Sequence, residues 1–384
     1  MDNREDCMKK FVLIPDSFKG TMSSSRICEI MEENIRPYYP DAEIVKIPVA
    51  DGGEGSVDAF LTAVGGKKVT VPVKGPYFED VKGFYGILED GTAVVEMAAC
   101  AGLPMVGDNK QPDKTTTYGV GQLIAHAAKS GCRKIVVGLG GSATNDCGAG
   151  AAAAIGIKFL DENGESFVPS GGTLSRVKKI DCSGKLPEFA DVEIVTMCDI
   201  DNPLYGPTGA AYVFAPQKGA DEKMVEFLDG QLKAFAATIQ SELGQDVAEI
   251  PGAGAAGGMG AGMVAFFSSR LQMGIETVLD TVAFDKVAAD ADFVFSGEGK
   301  IDFQSLRGKV VIGVARRAQK LGVPLIAIVG DIGDGVQGAY DMGVSAIFSI
   351  NRVAKDFREV MGRSESDLGL TMDNLMRFVK RMDF

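Results

Sequence analysis

Short apolar runs alternate with segments of helical period along most of the chain, the pattern of βαβ units whose parallel strands are covered on both faces. Residues 11–14 (FVLI) predict a buried strand, and beyond a polar loop at 15–25 the side chains of Ile27, Ile30, Met31 and Ile35 share one helix face. A second strand at 44–49 runs into the acidic, glycine-rich turn 51–55. Val57, Phe60, Leu61 and Val64 then mark a helix closed by Gly65 and Gly66. Near residue 75 the character changes, because 81–88 and 92–97 flank Glu89-Asp90-Gly91 as an antiparallel hairpin would. Further on, the pattern predicts a helix at 119–129, strands at 134–137, 192–197 and 210–214, a long helix over 221–243 and a small-residue helix over 255–268. From residue 291 the simple rhythm returns, with strands at 293–295, 325–329 and 346–350 and a helix at 308–320.

Parallel strands need neighbours, so the economical arrangement joins the two chain ends in one sheet and inserts the middle between them. The expectation is an α/β protein of two domains, residues 1–75 with 285–384 and an inserted α/β domain with a mixed sheet at 76–284. Three sequential domains are the alternative.

Composition narrows the function classes. With 46% hydrophobic and 24% charged residues in 384, the chain has the makeup of a globular protein long enough for two cores. Acidic residues outnumber basic ones 52 to 39, and a net charge of −13 opposes approach to nucleic acid or an anionic membrane. Any phosphate site must then be a local electropositive pocket. The seven cysteines are scattered with no CxxC pair, which fits a reducing, cytoplasmic setting better than disulfides or zinc. The opening MDNREDCMKK lacks the apolar core of a signal peptide, and the uncharged run 251–269 is too rich in glycine to predict a membrane span.

Four loops beyond predicted strands combine glycine with carboxylate or hydroxyl groups: PDSFKG at 15–20, DGGEG at 51–55, GLGGSATND at 138–146 and GEGKID at 297–302. In open α/β sheets ligands bind beyond the carboxyl ends of strands, where glycine lets backbone N–H groups approach an anion. No GxxxxGK[ST] sequence occurs. The GxGxxG at 252–257 follows no apolar strand, so close helix packing is its first reading. Gly138, Gly140 and Ala143 follow a strand and Asp161 lies downstream, as in an NAD(P)-dependent dehydrogenase of a small hydroxy acid. Yet the residues after the glycines are polar, and Asp161-Glu162-Asn163-Gly164 reads as a hairpin turn. His126 is the only histidine and sits mid-helix among alanines, which removes a histidine-dependent triad and a histidine zinc site. Carboxylates, lysines and backbone dipoles remain, the groups that phosphoryl transfer uses. Cys198-Asp199-Ile200-Asp201-Asn202-Pro203 adds acidic groups at another strand end, suited to a hard cation, to an acceptor hydroxyl or simply to an Asx turn.

Together with VADGGEG at 49–55, CDIDNPL at 198–204, PQKGA at 216–220, PGAGAAGG at 251–258 and GEGKIDFQSLRGK at 297–309, these segments resemble the type I glycerate kinases, in order from end to end. The resemblance implies a flavodoxin/Rossmann-like parallel-sheet domain from the chain ends, a second α/β domain inserted in it, an active site in the cleft between, and phosphorylation of D-glycerate by ATP. A non-catalytic small-ligand binding protein with closing domains is a further alternative. Cys147 and Phe303 stand where the family commonly has glycine, and Ser305 where it commonly has threonine.

Within that frame, side-chain chemistry distributes the roles. Lys19 would neutralise the transferring phosphoryl group or the glycerate carboxylate, and Asp51 or Asp199 would take the hydroxyl proton. Gly140, Gly141, Ser142, Thr144 and Asn145 would cradle the phosphates of ATP. Asp146, Asp201 and Glu298, with Asp199 as a further candidate, would reach Mg²⁺. Ser17, Gly52, Gly53, Glu54, Lys218, Asp302 and Lys309 would line the substrate site. The remaining expectations are a monomer or homodimer and a 2-phosphoglycerate product, with 3-phosphoglycerate as the alternative.

Overall fold

Residues 9–50, 52–353 and 355–382 are described by the computed structural model. The chain divides into two units, residues 1–50 with 275–384 and residues 51–274.

The first unit is a parallel five-stranded sheet in the order Val344–Ser349, Leu325–Val329, Phe293–Gly297, Lys10–Pro15, Glu43–Lys46. Counted within the unit, this is the 2-1-3-4-5 order of flavodoxin-like folds. Phe11, Leu13, Phe295, Ile326 and Ile328 pack against Ile27, Ile30, Met31 and Ile35 of helix Ser24–Ile35 and against Leu368, Met372 and Met376 of helix Ser364–Arg381. Each such buried side chain contributes about 1.5–3 kcal/mol relative to exposure. Helix Val310–Leu321 packs against four of the strands. Ser23 caps the first helix by accepting the Arg26 N–H. Ser24 ties that helix to the strand ends, its hydroxyl donating to Pro15 O at 2.6 Å and accepting Val49 N–H at 2.9 Å.

The second unit carries a six-stranded mixed sheet, Arg270–Gln272, Glu193–Met197, Lys134–Gly138, Ala93–Glu96, Asp80–Leu88 and Gly66–Lys74, in which the first four are parallel and the last two antiparallel. Residues 66–74, expected with the chain ends, pair along their whole length with Asp80–Leu88. The alternation of Val69, Val71 and Val73 carries this strand, and the helix-closing Gly65-Gly66 masks its start. Residues 210–214, expected as a strand, form helix Ala210–Phe214 with Ala210 and Ala211 buried beside helix Ala255–Phe267. Five apolar residues are too few to distinguish the two periods.

Within Ala255–Phe267 the residues Ala256, Gly257 and Gly258 are left-handed, and this turn lies on the loop at 144–147, with the Cys147 N–H donating to Gly257 O. A Cβ on Gly257 would lie 2.0 Å from Thr144 O and 2.6 Å from Asn145 Cα. Gly257→Ala is therefore expected to cost several kcal/mol, on the order of 3 or more, or to abolish folding. Gly230→Ala, on the exposed face of helix Glu222–Leu243 with nothing within 4 Å, is expected to stabilise by about 0.5–1 kcal/mol. Urea unfolding of both variants checks the contrast.

Candidate active site

In the first unit the connections leave the sheet in opposite directions from two adjacent strands. Lys10–Pro15 leads towards Glu43–Lys46, while Phe293–Gly297 leads towards Leu325–Val329. Beyond the carboxyl ends of strands that diverge in this way lies the crevice where open α/β sheets bind ligands. Asp16, Ser17 and Lys19 follow one strand and Glu298 follows the other, and the Asp16 N–H donates to Gly297 O at 2.8 Å. Glu298 is only 6% exposed and its Oε1 has no hydrogen-bond partner. Burial pushes its carboxyl pKa up to about 7, helped by the charges of Asp16 and Asp302 and opposed by Ser305 and Lys309. Asp302 is half-buried and accepts the Gln304 N–H, while its own N–H donates to the buried Ser305 hydroxyl. Lys309 is the exposed residue that opens helix Val310–Leu321.

In the second unit four parallel strands end at Glu96, Gly138, Met197 and Gln272. The turn after residue 51 rests on these ends. Gly140 N–H donates to Gly52 O at 3.0 Å, and a Cβ on Gly140 would lie 2.5 Å from Gly53 Cα. Only glycine allows the two loops to touch there. Glu54 is exposed, and Asp51 lies outside the described residues. Asp199 and Asp201 are exposed, and Asp199 accepts the Gly274 N–H at 2.7 Å. In the loop after Gly138, Gly141 is exposed whereas Ser142, Thr144, Asn145 and Asp146 are buried. Thr144 Oγ1 and both side-chain polar atoms of Asn145 have no partner.

Asp146 and Lys218 stand apart from their expected roles. The Asp146 carboxylate is wholly buried and accepts the Thr117 N–H and hydroxyl and the Gly148 and Gly150 N–H groups, at 2.7 to 3.2 Å. These bonds, three of them to Oδ2, join the loop to residue 117 and make the carboxylate a structural anchor. Lys218 is 2% exposed, and its ammonium donates to Ser142 Oγ at 2.8 Å and to Thr144 O at 2.7 Å. It supports the loop of phosphate candidates from within. Among the described residues no three His, Cys, Asp or Glu side chains form a metal cage, and no helix is long and apolar enough to cross a membrane.

Two carboxylates were not singled out from the sequence. Asp16 sits at the strand divergence. Glu96, 1% exposed, accepts the Val57 N–H at 3.0 Å, where helix Ser56–Val64 starts on a glycine with no capping side chain. A lone acid inside the apolar run TAVVEM was the available signal. Asp161 accepts the Asn163 and Glu165 N–H groups in a turn between antiparallel strands, so it is not the ribose-binding acid of a dehydrogenase. His126 lies in helix Tyr118–Lys129, with Nδ1 2.9 Å from the Tyr85 hydroxyl.

Comparison with known proteins gives the family. The model of the glycerate kinase family matches residues 11–380. The chain belongs to the glycerate kinase family. It is 44% identical to a glycerate kinase of Halalkalibacterium halodurans, covering 96% of this chain and 97% of that one. It is also 44% identical to a glycerate 2-kinase of Escherichia coli, over 89% of this chain and 90% of that one. A crystal structure from Salmonella typhimurium LT2, assigned as glycerate kinase 2, superposes with a TM-score of 0.87 at 39% identity, covering 98% of this chain and 100% of that chain. Membership makes the chain an enzyme, a transferase of the kinase class.

The residue that departs from the usual glycine of glycerate kinases at position 147 has a structural reading. Cys147 is buried with φ 52°, a left-handed conformation that glycine adopts without strain. Glu298 yields a pH prediction. A carboxyl whose folded pKa is about 7 against an ordinary 4.5 supports the fold below pH 4.5 and loses that support as pH rises through 7. Glu298→Gln should raise stability at pH 8 by about 1–3 kcal/mol and change it little at pH 4. Denaturant titrations at both pH values measure the difference.

Proposed function

We propose that the protein transfers the γ-phosphoryl group of ATP to D-glycerate, with the 2-hydroxyl as acceptor. The observation that carries this reading is the family match over residues 11–380, and the Escherichia coli relative named glycerate 2-kinase supports the regiochemistry. The free cysteines of the described residues suit a reducing cytoplasm, where ATP is at hand.

The strand-end groups fit the chemistry. The glycerate hydroxyl oxygen forms a bond to the γ-phosphorus, the bond to the bridging oxygen breaks, ADP leaves, and the hydroxyl proton passes to a carboxylate. Gly140, Gly141, Ser142, Thr144 and Asn145 bind the nucleotide phosphates, and the unpartnered Thr144 hydroxyl and Asn145 amide fit that task. Asp199 accepts the proton, with Asp51 as the other acceptor in this proposal. Lys19 and Lys309 supply positive charge, and Ser17, Gly52, Gly53, Glu54 and Asp302 orient the three-carbon acid. Magnesium asks for one or two carboxylates plus nucleotide oxygens, and Asp201, which is exposed, and Glu298, whose Oε1 has no hydrogen-bond partner, are the carboxylates this proposal offers it. When bound, the ion neutralises charge on the phosphate oxygens.

ADP release coupled to a reporter reaction, with D-glycerate as acceptor and phosphorus NMR of the product, tests the reaction and its regiochemistry. No turnover with D-glycerate, or a product phosphorylated at the 3-position, would contradict the corresponding part. Lys19→Ala is expected to lower kcat about 10²-fold or more with the melting temperature unchanged. Asp199→Asn keeps an acceptor for the Gly274 N–H, so it should fold normally while kcat drops on the order of 10²- to 10⁴-fold. Wild-type rates in either variant would remove that residue from the reaction.

A further inference from the structure

We propose that Lys218 is a positioning residue that turns the Ser142 hydroxyl outward as a hydrogen-bond donor to an anionic phosphate ligand, and that loss of its proton releases that hydroxyl. The proposal rests on the nucleotide reading of the loop at 138–146 and deepens it. Lys218 ends the turn Pro216–Lys218 and is buried, and its ammonium donates to Ser142 Oγ at 2.8 Å and Thr144 O at 2.7 Å. An ammonium can only donate, so Ser142 Oγ must accept from it. The Ser142 proton then points elsewhere, and it has no acceptor among the described residues. An incoming phosphate oxygen supplies one. Beside it the side-chain amide of Asn145, wholly buried, has no hydrogen-bond partner, which independently marks this loop as built for an absent polar group.

A neutral lysine reverses the arrangement, because its nitrogen lone pair can accept the Ser142 proton and draw the hydroxyl inward. Burial brings the Lys218 pKa down from its ordinary value to about 7, with the charge of Asp146 working the other way, so both states are accessible near neutrality. The charged groups on the surrounding elements are few. Asp146 stands on the loop itself, and Lys110 and Asp113 come from the segment at 109–117, where Lys110 Nζ reaches Gln217 O. Asp221 and Glu222 open helix Glu222–Leu243, with Asp221 turned to its own Met224 N–H. Helices Ala210–Phe214 and Ala255–Phe267 bring no charge. A bound polyphosphate favours the charged lysine, so binding is coupled to proton uptake.

Calorimetric titration with MgADP between pH 6.5 and 8.5 tests the assignment. The wild type is expected to bind about tenfold more weakly at the upper pH. Ser142→Ala, which removes the hydroxyl and leaves the buried lysine, should bind weakly with a nearly flat pH dependence, less than about twofold across the range. Lys218→Met, scored only if its circular dichroism matches the wild type, should be equally flat. A wild-type affinity independent of pH, or a Ser142→Ala variant that keeps the full slope, overturns the positioning role. So does a folded Lys218→Met that keeps it. Failure of the wild type to bind MgADP at any pH overturns the nucleotide reading itself, which separates the two failures.

Discussion

A polar loop that is buried must find its hydrogen bonds inside the protein, and in the second unit this requirement falls on Asp146. Its carboxylate takes up four donors from Thr117, Gly148 and Gly150. These bonds join the start of one helix, the turn into another and the loop after Gly138. Without them several N–H groups would be buried unpaired, at about 1–3 kcal/mol each. The loop's conformation depends on that side chain, with Lys218 holding Ser142 Oγ and Thr144 O. Gly257 packs on Thr144 and Asn145 and Gly258 on Cys147, so the loop is held by hydrogen bonding and by contact at once.

Two buried ionisable groups oppose the fold near neutral pH. Glu298 is pushed up to about 7 and Lys218 down to about 7, both chiefly by loss of water. Neither has a buried ion-pair partner of the kind that restores a charge to its ordinary range. A buried group kept at such a cost, with an unpartnered atom or a partner that is itself a candidate ligand donor, is a candidate for chemistry before stability. Asp146 differs in its hydrogen bonding: burial raises its carboxyl pKa too, but the Thr117, Gly150 and Gly148 donors oppose that rise.

The sequence was legible where local periodicity and strand ends coincide. The strands at 11–14 and 293–295, the helix carrying Ile27 to Ile35 and the hairpin after residue 80 all appear, because each encodes one face or one alternation. The loops were legible as loops because glycine and acid cluster where the strands end. What escaped depends on partners distant in sequence. Gly66–Lys74 is fixed by pairing across a sheet edge, and 210–214 is too short to declare its period. The distinction between Asp146 and Glu298 lies in how many donors reach each carboxylate, which no spacing encodes. Lys218 looks like a surface lysine in PQKGA. Only the packing of residue 218 against residues 142 and 144 makes it internal.

The division between held and exposed groups assigns different work to each. Lys309 and Asp201 are exposed, where long or solvated side chains supply charge but little fixed geometry; Lys19 and Asp199 are exposed too, Asp199 accepting the Gly274 N–H. Ser142, Thr144 and Asn145 are buried, anchored through Asp146 and Lys218, and so offer fixed directions. Choosing one hydroxyl of a three-carbon acid over its neighbour demands placement far finer than a solvated lysine provides. On the proposed reading that placement falls to groups with fixed directions: the strand-end peptides at Gly52, Gly53 and Gly140, locked by mutual contact, and the buried loop behind them. On the same reading the exposed charges act on the rate once the anionic reactants are so placed, and the two classes of residue would separate chemically as well as by burial.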